Sequence, residues 1–560
     1  MTQTSMLNKS INNLLEKDYV WMTKETIDSY LASGEWKTES FVDHLEEQAR
    51  KQPSSPAIID DDGTVTTYGE YNEQANHFAL GLLDLGLQKG DRIALQLPNN
   101  KYFLIALMGA AKAGVLPVLC HVPYTEHDLD YVMELTEAKA YVIVDQFRNR
   151  NFIDLAKSLR DQHACLQHVI VVSEKSYRDT VNFSTLLERG ANRSSSELEK
   201  IRPVGTDPFF IMFTSGTTGR PKAELHLHAN NLYWINRFND ILKLPQDANW
   251  FIVTPIAHLT GLGIGCLGAL YRGAPVTLLQ SWDVDKAIEV IEREKPTTLL
   301  GAPPMLIDLA RFEGLETSNL DSIETIAYAG ATCPYDILST LHKRTGAGII
   351  AFYGYTEAGV THCTRPDDSI EITSSSFGKL VDGLQERIIS TEGEDLTPPC
   401  EGEVVVKGAS FIPGYYNQPE NTKRMFEDGW FQSADIVKVD ENGYGTFVAR
   451  RDDLINRGGY KIDPREIEDA LYTHPKVAQA AIVAIPDDRF GERAAAVLVL
   501  KNPQDTITLS DITAHLAEKN VSKTHWPEAL KVVDEFPMTS TGKFQRFALR
   551  EQAKDLKPER

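Results

Sequence analysis

The sequence predicts an α/β protein with a large N-terminal domain of parallel, helix-covered sheets, a β-rich subdomain, and a small, mobile α+β C-terminal domain. Two observations predict this class. Helical and strand patterns alternate in the middle of the chain, and shorter strands with Gly-rich turns appear after about residue 380. A very polar run, ARRDDLINRGG (449–459), then suits a hinge. We therefore place the domains at residues 1–449 and 450–560.

The alternation runs through five consecutive segments: a helix in DVDKAIEVIEREK (283–295), a strand and turn in TTLLGAPP (297–304), a strand in TIAYAG (325–330), a helix in PYDILSTLHKRT (334–345) and a strand in GIIAFYG (348–354). Ligands of such sheets bind where strands end in loops. The stretches YAGAT (328–332) and FYGYTE (352–357) are therefore expected to face one crevice.

A loop rich in Gly, Ser and Thr follows the apolar run PFFIMF (208–213), which reads as a buried strand, and a helix is expected from Asn230. Backbone N–H groups, hydroxyls and nearby cations are the chemistry of a polyphosphate cradle. The loop is not a Walker P-loop, because Lys222 follows Pro221 and precedes Ala223. An ordinary surface loop remains the alternative when this stretch is taken alone.

The C-terminal part has a compact α+β pattern, with five segments in this order: helix PREIEDALYTH (464–474), strand QAAIVAIP (479–486), strand RAAAVLVL (493–500), helix LSDITAHLAEKN (509–520) and strand ALKVVDEFP (529–537).

Composition limits the partners. The 560 residues carry a formal charge of −22, which argues against general binding to nucleic acid or to anionic membranes. A polyphosphate ligand would need local cations. The six cysteines form no C-x-x-C pair and are expected to be reduced thiols in a reducing, cytoplasmic compartment.

Targeting and membrane signals are also weak. The N-terminal stretch MTQTSMLNKSINN lacks an apolar segment, so no secretory signal is evident. The most apolar segment, 103–119, is short, carries Lys112 and reads as a buried helix running into a strand. We expect no membrane span.

Seven motifs in a fixed order carry a resemblance. The motifs are TSGTTGRPK (214–222), PIAH (255–258), YAGATCP (328–334), YGYTE (353–357), GWFQSAD (429–435), RRDDLINRGGYKIDPREIE (450–468) and MTSTGKFQR (538–546). With them the sequence resembles the adenylate-forming superfamily of acyl- and aryl-CoA ligases, aryl-acid AMP ligases, peptide-synthetase adenylation domains and luciferases, from about residue 40 to residue 550.

The resemblance implies an enzyme that activates a carboxylic acid with ATP as an acyl-adenylate, releases pyrophosphate, and passes the acyl group to a thiol with release of AMP. It implies ATP, Mg²⁺ and either coenzyme A or the phosphopantetheine of an acyl or aryl carrier protein. A homodimer is common among such relatives. Positioning and electrostatic stabilisation must dominate the first step, because both reactants are anions.

The resemblance also assigns nucleotide-binding residues. The Gly-rich loop would hold the β- and γ-phosphates, Tyr355 would line the adenine, Thr356 would bond the α-phosphate, and Glu357 would ligate Mg²⁺. The full set is Thr214, Ser215, Gly216, Thr217, Thr218, Gly219, Lys222, Gly330, Ala331, Thr332, Tyr353, Gly354, Tyr355, Thr356, Asp435, Arg450 and Lys543. Taken alone, YGYTE would read equally well as a helix N-cap.

Asp435 would accept the ribose hydroxyls, and Arg450 would contact ribose and phosphate. Lys543 matches the catalytic lysine, which acts only if the small domain closes. Asp452 matches the hinge, and Gly458 and Gly459 would line the passage for the pantetheine arm. The family glycines after the loop lysine and before the ribose-contacting arginine are Ala223 and Ala449 here.

Within the superfamily, the sequence most resembles the dihydroxybenzoate-AMP ligases and the aryl and alicyclic acid–CoA ligases. The predicted acid pocket differs from that of the dihydroxybenzoate-AMP ligases. Leu259 replaces the Asn that reads the ring hydroxyl, and Ile264 falls where a Ser is expected. A buried hydroxyl would then lack partners, so we expect an apolar aliphatic, alicyclic or aryl acid. His258 would gate the pocket. The predicted pocket residues are His258, Leu259, Leu262, Gly263, Ala329, Gly330, Ala331 and Val360.

Three functions fit these residues. The first is a carboxylate–CoA ligase, the second is a stand-alone acid–AMP ligase that loads a carrier protein, and the third is a nucleotide-binding protein without catalysis. The presence of Lys222, Glu357, Asp435 and Lys543 argues against the third. The acidic surface slightly disfavours docking to carrier proteins, which are typically acidic.

Overall fold

A computed structural model describes residues 3–214, 220–244, 248–458, 460–487, 489–538 and 544–558. The elements up to residue 214 are helices α1 (Gln3–Leu15), α2 (Lys24–Ala32), α3 (Phe41–Lys51), α4 (Tyr68–Asp84), α5 (Lys101–Lys112), α6 (Glu126–Thr136), α7 (Phe152–Gln162), α8 (Phe183–Ala191) and α9 (Ser196–Glu199), and strands β1 (Pro56–Ile59), β2 (Val65–Thr67), β3 (Arg92–Gln96), β4 (Leu116–Leu119), β5 (Ala140–Val144), β6 (Gln146–Phe147), β7 (Arg150–Asn151), β8 (His168–Val172), β9 (Val181–Asn182) and β10 (Pro208–Thr214).

The central part continues the alternation. Its elements are helices α10 (His228–Leu242), α11 (Gly268–Arg272), α12 (Val284–Glu294), α13 (Pro303–Ala310), α14 (Tyr335–Thr345), α15 (Ile370–Ser375) and α16 (Pro419–Met425), a π-helix (Thr260–Leu267), a 3₁₀ turn (Arg451–Asp453), and strands β11 (Lys222–Leu227), β12 (Trp250–Ile252), β13 (Val276–Leu278), β14 (Thr298–Gly301), β15 (Thr325–Tyr328), β16 (Gly348–Tyr355), β17 (Gly359–Cys363), β18 (Lys379–Leu380), β19 (Gln385–Ile389), β20 (Asp395–Leu396), β21 (Cys400–Lys407), β22 (Phe426–Glu427), β23 (Trp430–Val439) and β24 (Gly445–Arg450).

The C-terminal part is a smaller α+β unit. Its elements are strands β25 (Ile455–Arg457), β26 (Tyr460–Ile462), β27 (Val477–Asp487), β28 (Gly491–Leu500) and β29 (Ala529–Val532), helices α17 (Pro464–Tyr472), α18 (Leu509–Glu518) and α19 (Arg546–Ala553), and a 3₁₀ turn (Lys523–His525).

Two largely parallel sheets form the N-terminal core. The first has the order β18-β17-β16-β15-β14-β12-β13-β1-β2, and the second has the order β11-β10-β4-β3-β5-β8-β9. Their inner strands are apolar on both faces, as in the fully buried β5, because helices cover both sides. Helix α12 shows the matching pattern, with Ala287, Ile288 and Ile291 buried and charged residues facing out. The predicted fold class is confirmed.

The remaining sheets are antiparallel or mixed, and the smallest is the antiparallel pair of β6 and β7. The third has the order β20-β19-β21-β23-β22 with β24 beside β23, and the fourth has the order β26-β25-β28-β27 with β29 beside β28. Strand β24 ends at Arg450 and the fourth sheet begins at Ile455. The boundary at residues 449 and 450 stays a prediction.

The region after β10 differs from the expected order of strand, loop and helix. Residues Lys222–Leu227 form β11, which pairs with β10 as an antiparallel hairpin in the register Thr214 to Lys222. Helix α10 follows directly at His228. Hydropathy does not predict this strand, because its polar side chains, Lys222, Glu224 and His226, are buried together with its apolar ones.

Candidate functional site

Strand ends gather the motifs at one edge of the first sheet. Strands β15 and β16 are parallel neighbours in the register Tyr328 to Ala351, so the loop after Tyr328 lies beside the end of β16. That exposed loop carries Ala329 to Thr332, with Gly330 at φ +100°. A parallel sheet places its ligand site at this edge. The stretches YAGAT and YGYTE are therefore brought to the same side.

Residues Thr356 and Glu357 lie in the turn between β16 and β17. The helix N-cap alternative for YGYTE is therefore wrong. A side chain at Gly354 would place its Cβ 1.9 Å from the carbonyl oxygen of Gly359, so this tight hairpin requires glycine.

A buried hydrogen-bonded network centres on Asp435 of β23, whose side chain is 3% exposed. Its Oδ1 accepts a hydrogen bond from Nε of Arg450 at 2.8 Å, and its Oδ2 accepts one from the hydroxyl of Tyr353. The Tyr353 and Tyr355 hydroxyls are 2.7 Å apart. Antiparallel pairing of β23 with β24 sets Asp435 directly opposite Arg450. Three predicted nucleotide motifs thus meet in one network.

The environment fixes the charges of this network. Burial raises the pKa of Tyr353 well above its usual value, and the neighbouring Tyr355 and Asp435 raise it further. Burial alone would lower the pKa of Arg450, but the carboxylate of Asp435 raises it overall. Arg450 is therefore a permanent cation, and Tyr353 is a neutral donor. Phe377 stacks on the Tyr353 ring at 4.5 Å between centroids, forming an aromatic wall.

The predicted phosphate loop falls in the sequence between the paired strands β10 and β11. Ser215, Gly216, Thr217, Thr218 and Gly219 lie outside the described residues. Their flanking residues are ordered by pairing, with Thr214 opposite Lys222. Lys222 is buried, and its ammonium lies 5.4 Å from the centre of the Tyr415 ring. Lys222 therefore supplies a basic side chain close in sequence to the predicted phosphate loop, in an otherwise acidic protein.

Two carboxyl groups lie beside that lysine. Glu357 is 8% exposed, and its Oε1 accepts a hydrogen bond of 2.5 Å from the hydroxyl of Tyr415. Glu224 is fully buried, and its Oε1 accepts a hydrogen bond from the hydroxyl of Thr214. Burial raises the pKa of Glu224 well above its usual value, and the charge of Glu357 raises it further. Both effects favour the protonated form of Glu224.

Glu357 fits the predicted magnesium ligand in chemistry and position. Mg²⁺ prefers hard oxygen donors and takes few protein ligands when phosphate oxygens supply the rest. A buried carboxylate beside the phosphate-loop hairpin supplies such a donor. No group of three or more His, Cys, Asp or Glu side chains suited to a metal occurs within the described ranges. A cation at Glu357 would therefore depend on the nucleotide.

His258, the predicted gate of the acid pocket, lies in the turn after β12. Its Nδ1 accepts a hydrogen bond from the backbone N–H of Thr260 at 3.2 Å. A second histidine, His121, lies beside it, with 6.2 Å between ring centroids. Burial lowers the pKa of His121 to about 3, with a smaller contribution from His258. His121 is thus a neutral ring in the wall next to the predicted gate.

The predicted acid-pocket residues lie on or next to three elements. Leu259, Leu262 and Gly263 lie at the π-helix, Val360 lies on β17, and Ala329 follows β15. Leu259, Leu262 and Val360 are all buried and apolar. Leu259 and Ile264, which stand where the dihydroxybenzoate-AMP ligases have polar residues, pack into the apolar core.

The hinge and tunnel predictions lie where the third and fourth sheets meet. Asp452 is a partly exposed residue of the 3₁₀ turn between β24 and β25. Gly458 has a φ of +58° and donates its N–H to the carbonyl of Phe490 at 2.8 Å. Gly459 and Lys543 lie outside the described residues. The guanidinium of Arg465 in α17 lies 3.9 Å from the ring centre of Phe447 in β24, so the two parts touch here.

Sequence reasoning missed four site residues: Glu224, Tyr415, Phe377 and His121. The sequence could have indicated Glu224, since it follows Lys222 by two residues and the period-2 alternation of a strand puts both side chains on one face. No sequence pattern indicates Tyr415, because an isolated backbone bridge with Glu224 brings it next to β11. Phe377 and His121 are single aromatic residues outside every motif.

A membrane crossing is not supported. Among the helices of the described ranges, none combines the length and apolar character needed to span a bilayer.

Comparisons with known families give two matches. Residues 45–416 match the model of the AMP-binding enzyme family, and residues 466–543 match the model of the AMP-binding enzyme C-terminal domain. Together the matches cover most of the chain, with a gap that contains the third sheet's later strands and the polar run.

Two curated relatives illustrate the range of chemistry. The chain is 30% identical over 523 residues to the medium-chain fatty-acid–CoA ligase of Escherichia coli K12, covering 93% of this chain and 92% of the relative. It is also 30% identical over 531 residues to the 2,3-dihydroxybenzoate-AMP ligase of Bacillus subtilis 168, covering 94% and 96%. Overall identity therefore does not separate the two types.

Solved structures share the fold. MatB from Rhodopseudomonas palustris bound to ATP superposes with a TM-score of 0.76 at 26% identity, covering 92% of this chain and 99% of that one. The anthranilate CoA ligase AuaEII in complex with anthranoyl-AMP superposes with a TM-score of 0.79 at 24% identity, covering 92% and 97%.

Proposed function

The chain belongs to the family of AMP-binding enzymes, and from this premise we propose that it is an AMP-forming carboxylate–CoA ligase. It is an adenylate-forming ligase that acts on a small carboxylic acid. The proposal adds the acceptor, coenzyme A, and the acid class, an apolar aliphatic, alicyclic or aryl acid. Similarity to the E. coli CoA ligase over nearly the whole chain supports the acceptor.

One observation carries the proposal. The buried carboxylate of Asp435 is held between Arg450 and Tyr353. These three residues come from three separate predicted nucleotide motifs. A carboxylate is an acceptor-only group and matches a vicinal diol, while Arg450 is a fixed cation next to it. This arrangement supports ribose binding by Asp435, with the adenine against the aromatic wall of Tyr353 and Phe377.

The proposed first step joins the acid to ATP. A carboxylate oxygen attacks the α-phosphorus, the bond from that phosphorus to the bridging oxygen breaks, and pyrophosphate leaves. Lys222 offsets the charge of the leaving phosphates, Thr356 donates to an α-phosphate oxygen, and Lys543 bridges the carboxylate and the α-phosphate. Magnesium ion held at Glu357 would supply further charge neutralisation of the phosphate oxygens.

The proposed second step forms the thioester. The sulfur of the thiol attacks the acyl carbon, the bond from that carbon to the AMP oxygen breaks, AMP leaves, and the thiol proton passes to solvent. Rotation of the small domain about Asp452 would bring Gly458 and Gly459 to the site in place of Lys543. A passage lined by glycine would let the narrow pantetheine arm enter.

The acid class follows from the pocket. Leu259 and Ile264 are buried among apolar residues, and a ring hydroxyl placed there would lose its hydrogen bonds to water without replacement. An acid without a polar group at this end therefore binds best. The same argument separates this chain from a 2-hydroxybenzoate enzyme, although the dihydroxybenzoate ligase is equally identical overall.

The test incubates the purified protein with ATP, Mg²⁺, coenzyme A and a panel of aliphatic, alicyclic and aryl acids, with products identified by mass spectrometry. We expect an acyl-CoA together with AMP for apolar acids, and much weaker turnover of 2-hydroxybenzoates.

Three other results would each overturn a different part. An acyl-adenylate without thioester, despite added coenzyme A, would indicate a carrier protein as the acceptor. Turnover of hydroxybenzoates alone would refute the acid class. ATP binding without any adenylate would support the non-catalytic alternative.

A further inference from the structure

The indole of Trp234 in α10 fills the space between two glycines of the acid-pocket region. A Cβ at Gly263 of the π-helix would lie 2.6 Å from Cζ2 of Trp234, and one at Gly359 would lie 2.3 Å from Cδ2. The six-membered ring therefore rests on the π-helix, while the ring junction rests on the first residue of β17. Only residues without a side chain leave room for the indole on both sides.

Trp234 is held firmly in this position. It is 2% exposed, and its Nε1 donates to Oδ1 of Asn231 at 3.2 Å. The Asn231 amide in turn donates to the carbonyl of Leu227 at 2.8 Å, which fixes the amide orientation. An indole that moved away would leave a buried donor unpaired, which is unfavourable. Packing and hydrogen bonding therefore hold the indole ring in one position.

The residues around this ring are the predicted acid pocket. Gly263 belongs to that set, and Gly359 precedes Val360, which also belongs to it. The Cβ position of Gly263 lies 3.2 Å from Cδ1 of Leu259, so Leu259 contacts the same spot from another side. The indole therefore stands where an acyl chain entering past His258 would continue between the π-helix and β17.

We propose that Trp234 sets the length limit of the acid pocket, so that the enzyme takes short or compact apolar acids and excludes medium-chain ones. This inference rests on the proposed function and deepens it. A longer chain would have to displace a hydrogen-bonded indole from a close-packed site, and such interiors resist overpacking. The chain would thereby differ in substrate from the E. coli relative, whose name is medium-chain fatty-acid–CoA ligase.

The experiment compares the wild type with Trp234→Ala across butanoate, hexanoate, octanoate and decanoate. Pyrophosphate exchange into ATP reports the first step alone, so the identity of the thiol acceptor does not matter. We expect kcat/KM to fall from butanoate to octanoate in the wild type. In Trp234→Ala the ratio of octanoate to butanoate should rise about 10- to 100-fold, since each methylene in an apolar pocket changes discrimination by roughly that range.

Two further variants separate a pocket effect from loss of stability. Trp250→Phe truncates another fully buried tryptophan, which lies at the start of β12 and outside the predicted pocket residues, and should leave the chain-length ratio unchanged. Trp234→Phe removes less volume and should shift the ratio in the same direction by a smaller factor. It also provides the readout if the alanine variant fails to fold.

The outcomes distinguish this inference from the proposed function. No exchange with any acid in the wild type would refute the proposed function itself. Exchange with decanoate as fast as with butanoate in the wild type would refute the length limit and leave the function standing. An unchanged ratio in both Trp234 variants would also refute it.

Discussion

At the scale of single residues, the candidate site contains a buried charge whose hydrogen-bonding atoms all have protein partners. Asp435 illustrates this, since each of its oxygens has a protein donor, Arg450 on one side and Tyr353 on the other. Such a carboxylate is pre-oriented, and its desolvation is compensated before a nucleotide arrives. The residue can therefore bind a ribose without a large rearrangement.

Substitution of Asp435 tests the ribose assignment. Asp435→Asn keeps the shape but removes the charge, and hydrogen bonds to charged groups contribute about 1.5–3 kcal/mol. We expect the Kd for ATP, measured by calorimetry, to rise about 10- to 100-fold. Asp382→Asn, at an exposed aspartate, is the matched control and should bind ATP normally. Equal ATP affinity in both variants would contradict the assignment.

Lys543 is tested by separating binding from chemistry. The family resemblance assigns it to the adenylation step, so Lys543→Ala should leave ATP binding near the wild-type value. Pyrophosphate exchange should fall by about 10²- to 10³-fold, the usual effect of removing one preorganised charge. Lys554→Ala, which removes only an exposed pair with Glu551, serves as the control. Unchanged exchange in Lys543→Ala would remove this residue from the mechanism.

At the scale of elements, the hairpin from β16 to β17 has the strictest local requirement. Gly354 lies so close to the carbonyl of Gly359 that any side chain meets backbone there. The hairpin sets the positions of Tyr353 and Tyr355 on one side and Glu357 on the other. A change in its pairing would therefore move both the ribose network and the carboxylate of the predicted magnesium site.

A pair of variants on one strand tests this requirement. Gly354→Ala should destabilise the protein by about 1–3 kcal/mol through overpacking and should also reduce pyrophosphate exchange. Gly348→Ala, at the other end of β16, has its nearest neighbour at 3.9 Å and should be tolerated. Thermal melting and exchange assays measure both effects. Equal melting temperatures and equal exchange rates in the two variants would show that the hairpin does not require glycine at position 354.

The sequence predicted elements well where one periodicity dominates. Helix α12, strand β16 and the buried helix α5 running into β4 all follow their hydropathy patterns. Strand β11 was missed because Lys222, Glu224 and His226 are polar and yet buried, which hydropathy cannot reveal. Burial of this kind depends on partners such as Tyr415, which lies far away in the chain.

Site residues, too, were predictable only where a sequence motif marks them. Motif order indicated Asp435, Arg450 and Tyr353, and the structure joins them, because β23 and β24 pair Asp435 with Arg450 and the hydroxyl of Tyr353 donates to Asp435. The position of Trp234 was not predictable in this way. It depends on how closely α10 approaches both the π-helix and β17, and no local pattern encodes that distance.

At the scale of the whole molecule, buried neutral histidines couple the fold to pH. His121, His226 and His228 are buried, and burial lowers the pKa of each from 6.5 to about 3. Between these values the unfolded chain binds more protons than the folded protein. The free energy of unfolding therefore falls as the pH drops below 6.5, by up to about 1.4 kcal/mol per pH unit for each histidine.

Melting temperatures at pH 7 and pH 5 measure this coupling. His228→Asn removes one of the three groups and should reduce the loss of melting temperature between the two pH values. His127→Asn, at an exposed histidine, should lose as much as the wild type. The same loss in all three proteins would show that buried histidines do not set the acid limit.

The central claim is that a carboxylate of the substrate attacks the α-phosphorus of ATP. The most direct test supplies butanoate labelled with ¹⁸O in its carboxylate, together with ATP, Mg²⁺ and coenzyme A, and analyses the nucleotide product by mass spectrometry. The proposed mechanism predicts AMP that carries one labelled oxygen, butanoyl-CoA that retains the other labelled oxygen in its carbonyl group, and unlabelled pyrophosphate. Unlabelled AMP, or ADP with the label in inorganic phosphate, would contradict it.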